Sequence, residues 1–393
     1  MNDKFTIINI TNSIAFFLTC SLVSDISNAC MSISLAMGSL YVIYDCVRNR
    51  NLKKLYFPKK IWLGLAIFLG AVFLSSVFSL NIFNIKLAFN YIYWFLPFLL
   101  ILYFAQCTNI KYSVILGIVV ATILTGSHAL YQFFTFPLGT RIGGFSYNPN
   151  FYAVLLVETL PILIVSLKDK RIYRSKIYIF GIILAIVLGV FSLFLTGSRG
   201  GILGFFVGLF ISLFIYCFTL KKWKVLFIAI LVILGIGGGI VTQGIVGGMN
   251  RSYDYERIYL QKSSIQMWED HKILGVGLHN WAKEYQEHYI MPQTKEKKLT
   301  YSHNVITWFF SATGIIGGIG YLFFMIYPIY VMIRFIRKYG LNYYVLAGLW
   351  LWIGVSLHGM VDVGITMKSA ARVAALCLGF CMVELQNCKK INL

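Results

Sequence analysis

Apolar residues in this chain come in blocks separated by short polar breaks, and each block is about as long as a helix needs to cross a hydrocarbon layer of roughly 30 Å. Such blocks span as helices, because a helix satisfies its backbone amides internally where no water is at hand. Twelve spans are read, at 7–24, 27–46, 61–80, 87–105, 112–134, 150–167, 177–196, 201–220, 224–246, 314–333, 343–361 and 370–387. The expected fold is therefore all-α and integral to a membrane, with about twelve transmembrane helices in one polytopic domain, residues 1–393. One hydrophilic excursion, residues 247–313, separates the ninth and tenth spans. Its composition suits two or three short amphipathic helices, broken at Gly275-Val276-Gly277 and Pro292.

Composition supports the membrane assignment and charge gives it a direction. Hydrophobic residues make up 59% of the 393 and charged ones only 12%, more apolar surface than a soluble core would hide. Short loops rich in Lys and Arg stay in the cytoplasm. Loops 47–60 and 168–176, Lys221, Lys222 and Lys224, then Arg334, Arg337 and Lys338, then Lys389 and Lys390 fall on one side of a twelve-span chain. Both termini are thus expected in the cytoplasm and the excursion outside. Most of the net +20 charge is topology and attraction to anionic lipid, so no nucleic-acid partner is expected. The first span lacks a basic leader and a small-residue cleavage site, and reads as a retained helix. The eight cysteines lie in or beside spans without metal spacing and read as packing residues. Gly235-Ile236-Gly237-Gly238-Gly239 sits inside a span and reads as helix packing rather than a phosphate loop.

Candidate chemistry gathers on the outer side. Arg141, Arg199, Arg251 and Arg257 project where the charge bias would leave no cations, so each needs a reason to be there. Guanidiniums bond phosphate oxygens bidentately, and several around a membrane-edge cavity suit a diphosphate on a lipid tail. Interface anchoring, or pairing with Asp254, Glu256 or Glu269, is the plainer alternative. His271, His279, His288 and His303 all fall in the excursion. The apolar run from Ser302 to Ile336 exceeds one span, and a short interfacial helix, a hinge at Gly314 and then the tenth span would absorb the excess. His303 opens that segment and suits proton transfer, phosphate binding or simple capping, with Glu256, Asp254 and Glu269 as reserve bases. Tyr253, Tyr255, Tyr259, Trp268 and Trp281 suit either the membrane interface or the face of a sugar. Glu158 and Asp25 are acids within or beside spans that call for partners.

Several motifs run in a telling order. Phe145-Ser146-Tyr147-Asn148-Pro149-Asn150 opens a span, and Leu195-Thr196-Gly197-Ser198-Arg199-Gly200-Gly201 joins two others. Arg257 to Trp268 is followed by Ile273-Leu274-Gly275-Val276-Gly277 and Asn280-Trp281, then by Ser302-His303-Asn304, Gly314-Ile315-Ile316-Gly317 and Leu357-His358-Gly359-Met360-Val361-Asp362. Together these resemble the O-antigen ligase and O-antigen polymerase superfamily of polytopic membrane glycosyltransferases. The resemblance covers residues 141–364, departing at His271-Lys272 and His279-Asn280 in ways that bear on acceptor choice.

The resemblance implies a metal-independent, inverting glycosyl transfer with no cofactor. A saccharide on a polyprenyl diphosphate, such as undecaprenyl diphosphate, passes to a hydroxyl of a glycan, lipid or protein acceptor at the outer leaflet. Arg199 and Arg257 carry over as diphosphate ligands, and with His303, as base or phosphate ligand, they form the expected catalytic set. Arg141, Arg251, Asn148, Asn280, Asn304, Asp362 and Trp268 are the expected substrate-binding residues, Asp362 being placed either to orient an arginine or His303 or to cap a helix. The shared motifs leave ligation and polymerisation both open. The rival reading is a transporter or flippase of an anionic lipid-linked glycan, against which stand the one-sided polar residues and the lack of an inverted repeat. A catalytically silent scaffold of an envelope-assembly complex is the remaining alternative.

Overall fold

The computed structural model describes residues 2–49, 57–169, 172, 175–228, 252–362 and 364–387. Helices dominate them: α1 (Asn2–Ser24), α2 (Asn28–Asn49), α3 (Lys59–Phe78), α4 (Ile82–Trp94), α5 (Leu96–Cys107), α6 (Lys111–Thr135), α7 (Pro149–Ser166), α8 (Lys176–Leu195), α9 (Arg199–Thr219), α10 (Ser252–Asp270), α11 (Trp281–Glu284), α12 (Val305–Tyr339), α13 (Tyr343–Gly359) and α14 (Lys368–Asn387). No strand occurs among the described residues. The starts follow capping chemistry: Asn81, Asn148, Ser175, Ser198, Asn304 and Asn342 each accept a backbone N–H from the first turn they open.

Nine helical stretches among the described residues are long and apolar enough to cross a membrane, counting Ile82–Cys107 as one. The expected span 87–105 is in fact two helices meeting at Phe95, with Pro97 tolerated in the first turn of the second. The expected span 7–24 falls within α1, and the expected span 343–361 falls on the 17-residue α13. The expected span 224–246 lies almost wholly outside the described residues, as does the glycine run at 235–239.

The excess length around residue 314 resolves as a broken helix. Gly314 sits at φ 65°, ψ −163° inside α12, dividing a short first piece from the long remainder. The break frees backbone groups, and the turn at Gly275-Val276-Gly277 satisfies them: Val276 and Gly277 N–H donate to the carbonyls of Ser311 and Ala312 at 2.8 and 2.9 Å. In return, Ile315 N–H donates to the Lys272 carbonyl at 2.8 Å. A Cβ on Gly275 would lie 2.5 Å from the Ala312 carbonyl carbon, and one on Gly314 would strike the Ile273 carbonyl oxygen, so two glycines are needed for the backbones to meet. Phe68 of α3 secures both pieces of α12, its ring stacked on Phe324 at 5.3 Å and edge-on to Phe309 at 5.0 Å.

A second close approach sets α9 against α13. Gly204 and Gly208 face the backbone oxygens of Gly354 and Trp350, where an added Cβ would lie at 2.5 and 2.6 Å, and the Trp350 indole donates to the Phe205 carbonyl at 2.8 Å. Small residues four apart let two helix backbones meet in an apolar medium where packing, not the hydrophobic effect, holds them. Gly200 continues the stripe against Val361 and His358, so the start of α9 is fixed beside the end of α13.

Gly314→Ala should lower stability by at least about 2 kcal/mol, since an L residue is strained at that φ and the Cβ has no room. Gly70→Ala, whose Cβ would meet nothing within 4 Å, should stay within about 0.5 kcal/mol of wild type. Thermal unfolding in detergent measures both, and equal stabilities would contradict the docking of the turn on the break.

Candidate functional site

The start of α7, the α8–α9 turn, the first turn of α12 and the end of α13 meet at one end of the bundle, with α10 across them. They enclose a cavity of about 420 Å³ lined by Arg141, Asn150, Gly197, Ser198, Arg199, Gly200, Glu256, Arg257, Leu260, Glu296, Leu299, His303 and Asp362.

Asp362 is the centre of its hydrogen bonding. The chain turns after α13 with the Asp362 N–H donating to the His358 carbonyl at 3.0 Å, which tucks the carboxylate in to 4% side-chain exposure. Its Oδ2 accepts from Arg257 Nη2 at 2.7 Å and from Asn150 Nδ2 at 2.5 Å, and its Oδ1 lies 3.2 Å from His303 Nδ1. Burial by itself would raise this carboxyl, but the hydrogen bond and charge of His303, with Arg257 and His358, hold it below the usual carboxylate range. An ionised carboxylate can only accept, so Nδ1 of His303 carries the proton of this contact in either form of the ring, and only in the neutral form is Nε2 left as an acceptor.

His303 is held by backbone as well as side chain. It sits at φ 50°, a left-handed conformation uncommon for a side-chain-bearing residue, between Ser302 and the cap residue Asn304. Asn304 accepts from Ile306 and Thr307 N–H at 2.9 and 3.2 Å and donates to the Met360 carbonyl at 2.8 Å, tying the start of α12 to the end of α13. Tyr301 packs its ring 4.6 Å from the imidazole, and burial, then the charge of Asp362, pushes its hydroxyl up to about 12, so it remains a neutral donor at physiological pH.

The other cations come from the α7 and α9 ends. Arg141 donates from Nε to the Thr196 carbonyl at 2.8 Å and from Nη2 to Asn150 Oδ1 at 2.5 Å, crossing Gly197. Arg199 is the first residue of α9, exposed, in a turn capped by Ser198. Three guanidiniums and a helix N-terminus thus face one volume, an arrangement suited to an anion. Glu256 does not cancel them as an ion pair: its carboxylate accepts backbone N–H groups of Lys295 and Glu296 at 3.0 to 3.2 Å. Among the described residues no group of three or more His, Cys, Asp and Glu is placed to hold a metal ion.

Arg141, Arg199, Arg257, His303 and Asp362 are therefore brought together, whereas other sequence candidates are not. Asn148 and Asn304 spend their side chains on helix starts. Asn280 binds the Val276 carbonyl at 3.2 Å and contacts Asn81 at 3.4 Å, fastening the glycine turn to the α3–α4 junction. Trp268 packs edge-on to Phe310 in an apolar recess between α10 and the first piece of α12. Trp281, expected at an interface or a sugar face, is fully buried and donates to Ser311 Oγ at 2.8 Å. Arg251 and the side chains of Tyr253 and Asp254 lie outside the described residues. Asp25 finds its partner in Ser369 at 2.7 Å, while the buried Glu158 accepts no hydrogen bond among the described residues.

Asn150 is the residue that sequence reasoning passed over. It accepts from Arg141 and donates to Asp362, linking the two cationic halves of the cavity. The signal lay in the Asn-Pro-Asn run: the first Asn caps the helix, which leaves the side chain of the second, in the first turn, to face the cavity.

Residues 184–322 match the family model of the O-antigen ligase, a stretch that holds Arg199, Arg257, His303, the turn at Gly275 and the break at Gly314. The match supports placing the chain in the O-antigen ligase and O-antigen polymerase superfamily, as a multi-pass membrane protein of polysaccharide biosynthesis. No curated protein matches the chain.

The depressed Asp362 carboxyl makes a stability prediction. A group whose folded pKa lies below its unfolded value stabilises above the unfolded value, about 3.9 for Asp, and loses that contribution as pH falls through the folded one. Wild-type stability should fall below about pH 4, and Asp362→Asn should cost about 2 kcal/mol at pH 7 and remove that part of the acid dependence. Unfolding midpoints from pH 3 to 7 read this directly; parallel curves for the two proteins would count against it.

Proposed function

We propose that this chain transfers a glycan from a polyprenyl diphosphate to an acceptor hydroxyl at the outer face of the cytoplasmic membrane, in the ligation or polymerisation of a surface polysaccharide. One observation carries the reading: three guanidiniums and a carboxylate-bound histidine line the same cavity. The match to the O-antigen ligase family agrees with it and lends nothing to the transporter alternative. The outer location is supported by charge, since Arg334, Arg337 and Lys338 close α12 at the end opposite His303.

In this mechanism the acceptor oxygen attacks the anomeric carbon while the bond from that carbon to the phosphate oxygen breaks. The electron pair leaves on the polyprenyl diphosphate. Arg257, held by Asp362 before the reaction, and Arg199, at the start of α9, stabilise the charge that grows on the leaving oxygens. The acceptor's proton passes to Nε2 of His303, and Asp362 holds the ring in the required tautomer and stabilises the imidazolium that results. Arg141 assists at the diphosphate through its place beside Asn150. Because the leaving group is already an activated lipid diphosphate and its charge is met by guanidiniums, the proposal assigns the reaction neither a nucleotide nor a metal.

With purified protein and a polyprenyl diphosphate oligosaccharide, Arg257→Ala and His303→Ala should each lower transfer by about 10²- to 10⁴-fold. Arg257→Lys should restore little, since an ammonium cannot reproduce the planar two-point contact. Released polyprenyl diphosphate and glycan length report the reaction; near wild-type rates in both alanine variants would refute the assignment.

A further inference from the structure

Beside the cavity runs a basic segment that the transfer step does not use. Lys295, Glu296, Lys297 and Lys298 follow one another, and Glu296 and Leu299, on either side of the last two lysines, both line the cavity. The segment is built rather than loose. The buried Glu256 carboxylate holds its backbone through the N–H groups of Lys295 and Glu296, and Tyr285 and Gln286 donate to the carbonyls of Glu296 and Leu299 at 3.4 Å. A buried acid one residue from Arg257 is thus spent on fixing the main chain of this rim. The three lysine side chains are left exposed, and among the described residues none forms an ion pair with a carboxylate. Arg199 and Arg257 line the same cavity as Glu296 and Leu299, so the three lysines stand next to a wall that already carries two guanidiniums.

We propose that the saccharide handled at this cavity is acidic, and that Lys295, Lys297 and Lys298 engage its carboxylate or phosphoryl groups beyond the diphosphate. The proposal rests on the transfer reading for the ligand being a glycan. An anionic bilayer surface is the competing target for exposed lysines. The glycan is favoured because the run is bracketed by cavity-lining residues and its backbone is pinned from two sides. The three lysines outnumber the single carboxylate of Glu296 in this run, and a neutral saccharide would offer their exposed ammonium groups no ionic partner.

The full-length chain in nanodiscs of zwitterionic lipid, titrated with hexagalacturonate and with maltohexaose, tests this. The acidic hexamer should bind at least tenfold more tightly, and Lys297→Gln with Lys298→Gln should weaken it by about five- to tenfold, with a shallower salt dependence and unchanged thermal unfolding. Equal affinity for the two hexamers, or an undiminished preference in the double variant, overturns the proposal. So does a result in which the substitutions reduce only retention of phosphatidylglycerol added to the disc, which would make the run a membrane contact. A charge preference in a protein that transfers nothing from a lipid diphosphate would sink the transfer reading and leave this one standing.

Discussion

Everything at the cavity depends on keeping one carboxylate ionised while it is almost wholly buried. Asp362 stands 4% exposed with Arg257, Asn150 and His303 on its two oxygens, each from a different element. Burying a charge is costly unless hydrogen bonds and opposite charge replace the lost water. Here the replacement is complete enough to hold the carboxyl below its usual range despite the burial. The same contacts that keep Asp362 charged fix the positions of the arginine and the histidine, so electrostatics and geometry are one constraint.

The backbone around it exists to deliver those groups. Glycines at 204 and 208 let α9 lie against α13, which sets Arg199 near Asp362. The break at Gly314 lets the first piece of α12 turn toward the cavity, and the turn at Gly275 supplies the donors and acceptor that the break leaves unpaired. His303, one residue before the cap of that piece, pays in a left-handed φ for its orientation, and the surrounding hydrogen bonds hold it there. Such strain is tolerated where neighbouring structure over-determines the conformation, and Asn304 and Asp362 do so from both sides.

Much of this was legible in the sequence, for physical reasons that also explain the gaps. Apolar block length found the helices because crossing a bilayer leaves little choice of conformation, and the over-long run at 302–336 forced a hinge onto Gly314. Arginines at 141, 199 and 257 stood out because cations are costly where no partner explains them. Polar residues with two available jobs were harder. Asn148, Asn304 and Asn280 share the chemistry of ligand-binding amides, yet they serve backbone groups, and Trp281 sits in the core because Ser311 satisfies its indole N–H. Asn150 was missed for the converse reason, since its two partners are 9 and 212 residues away and only the fold brings them together. The split of the 87–105 block at Phe95 follows from Pro97, a residue that opens a helix as readily as it interrupts one.

The most direct measurement is a structure of the full chain in a lipid nanodisc with a polyprenyl diphosphate bound. The account expects the diphosphate between Arg199 and Arg257, with Nε2 of His303 facing the carbon that carries the sugar and Nδ1 still on Asp362. A diphosphate bound elsewhere on the protein, or one seated in the cavity with His303 turned away and Asp362 released, would contradict it.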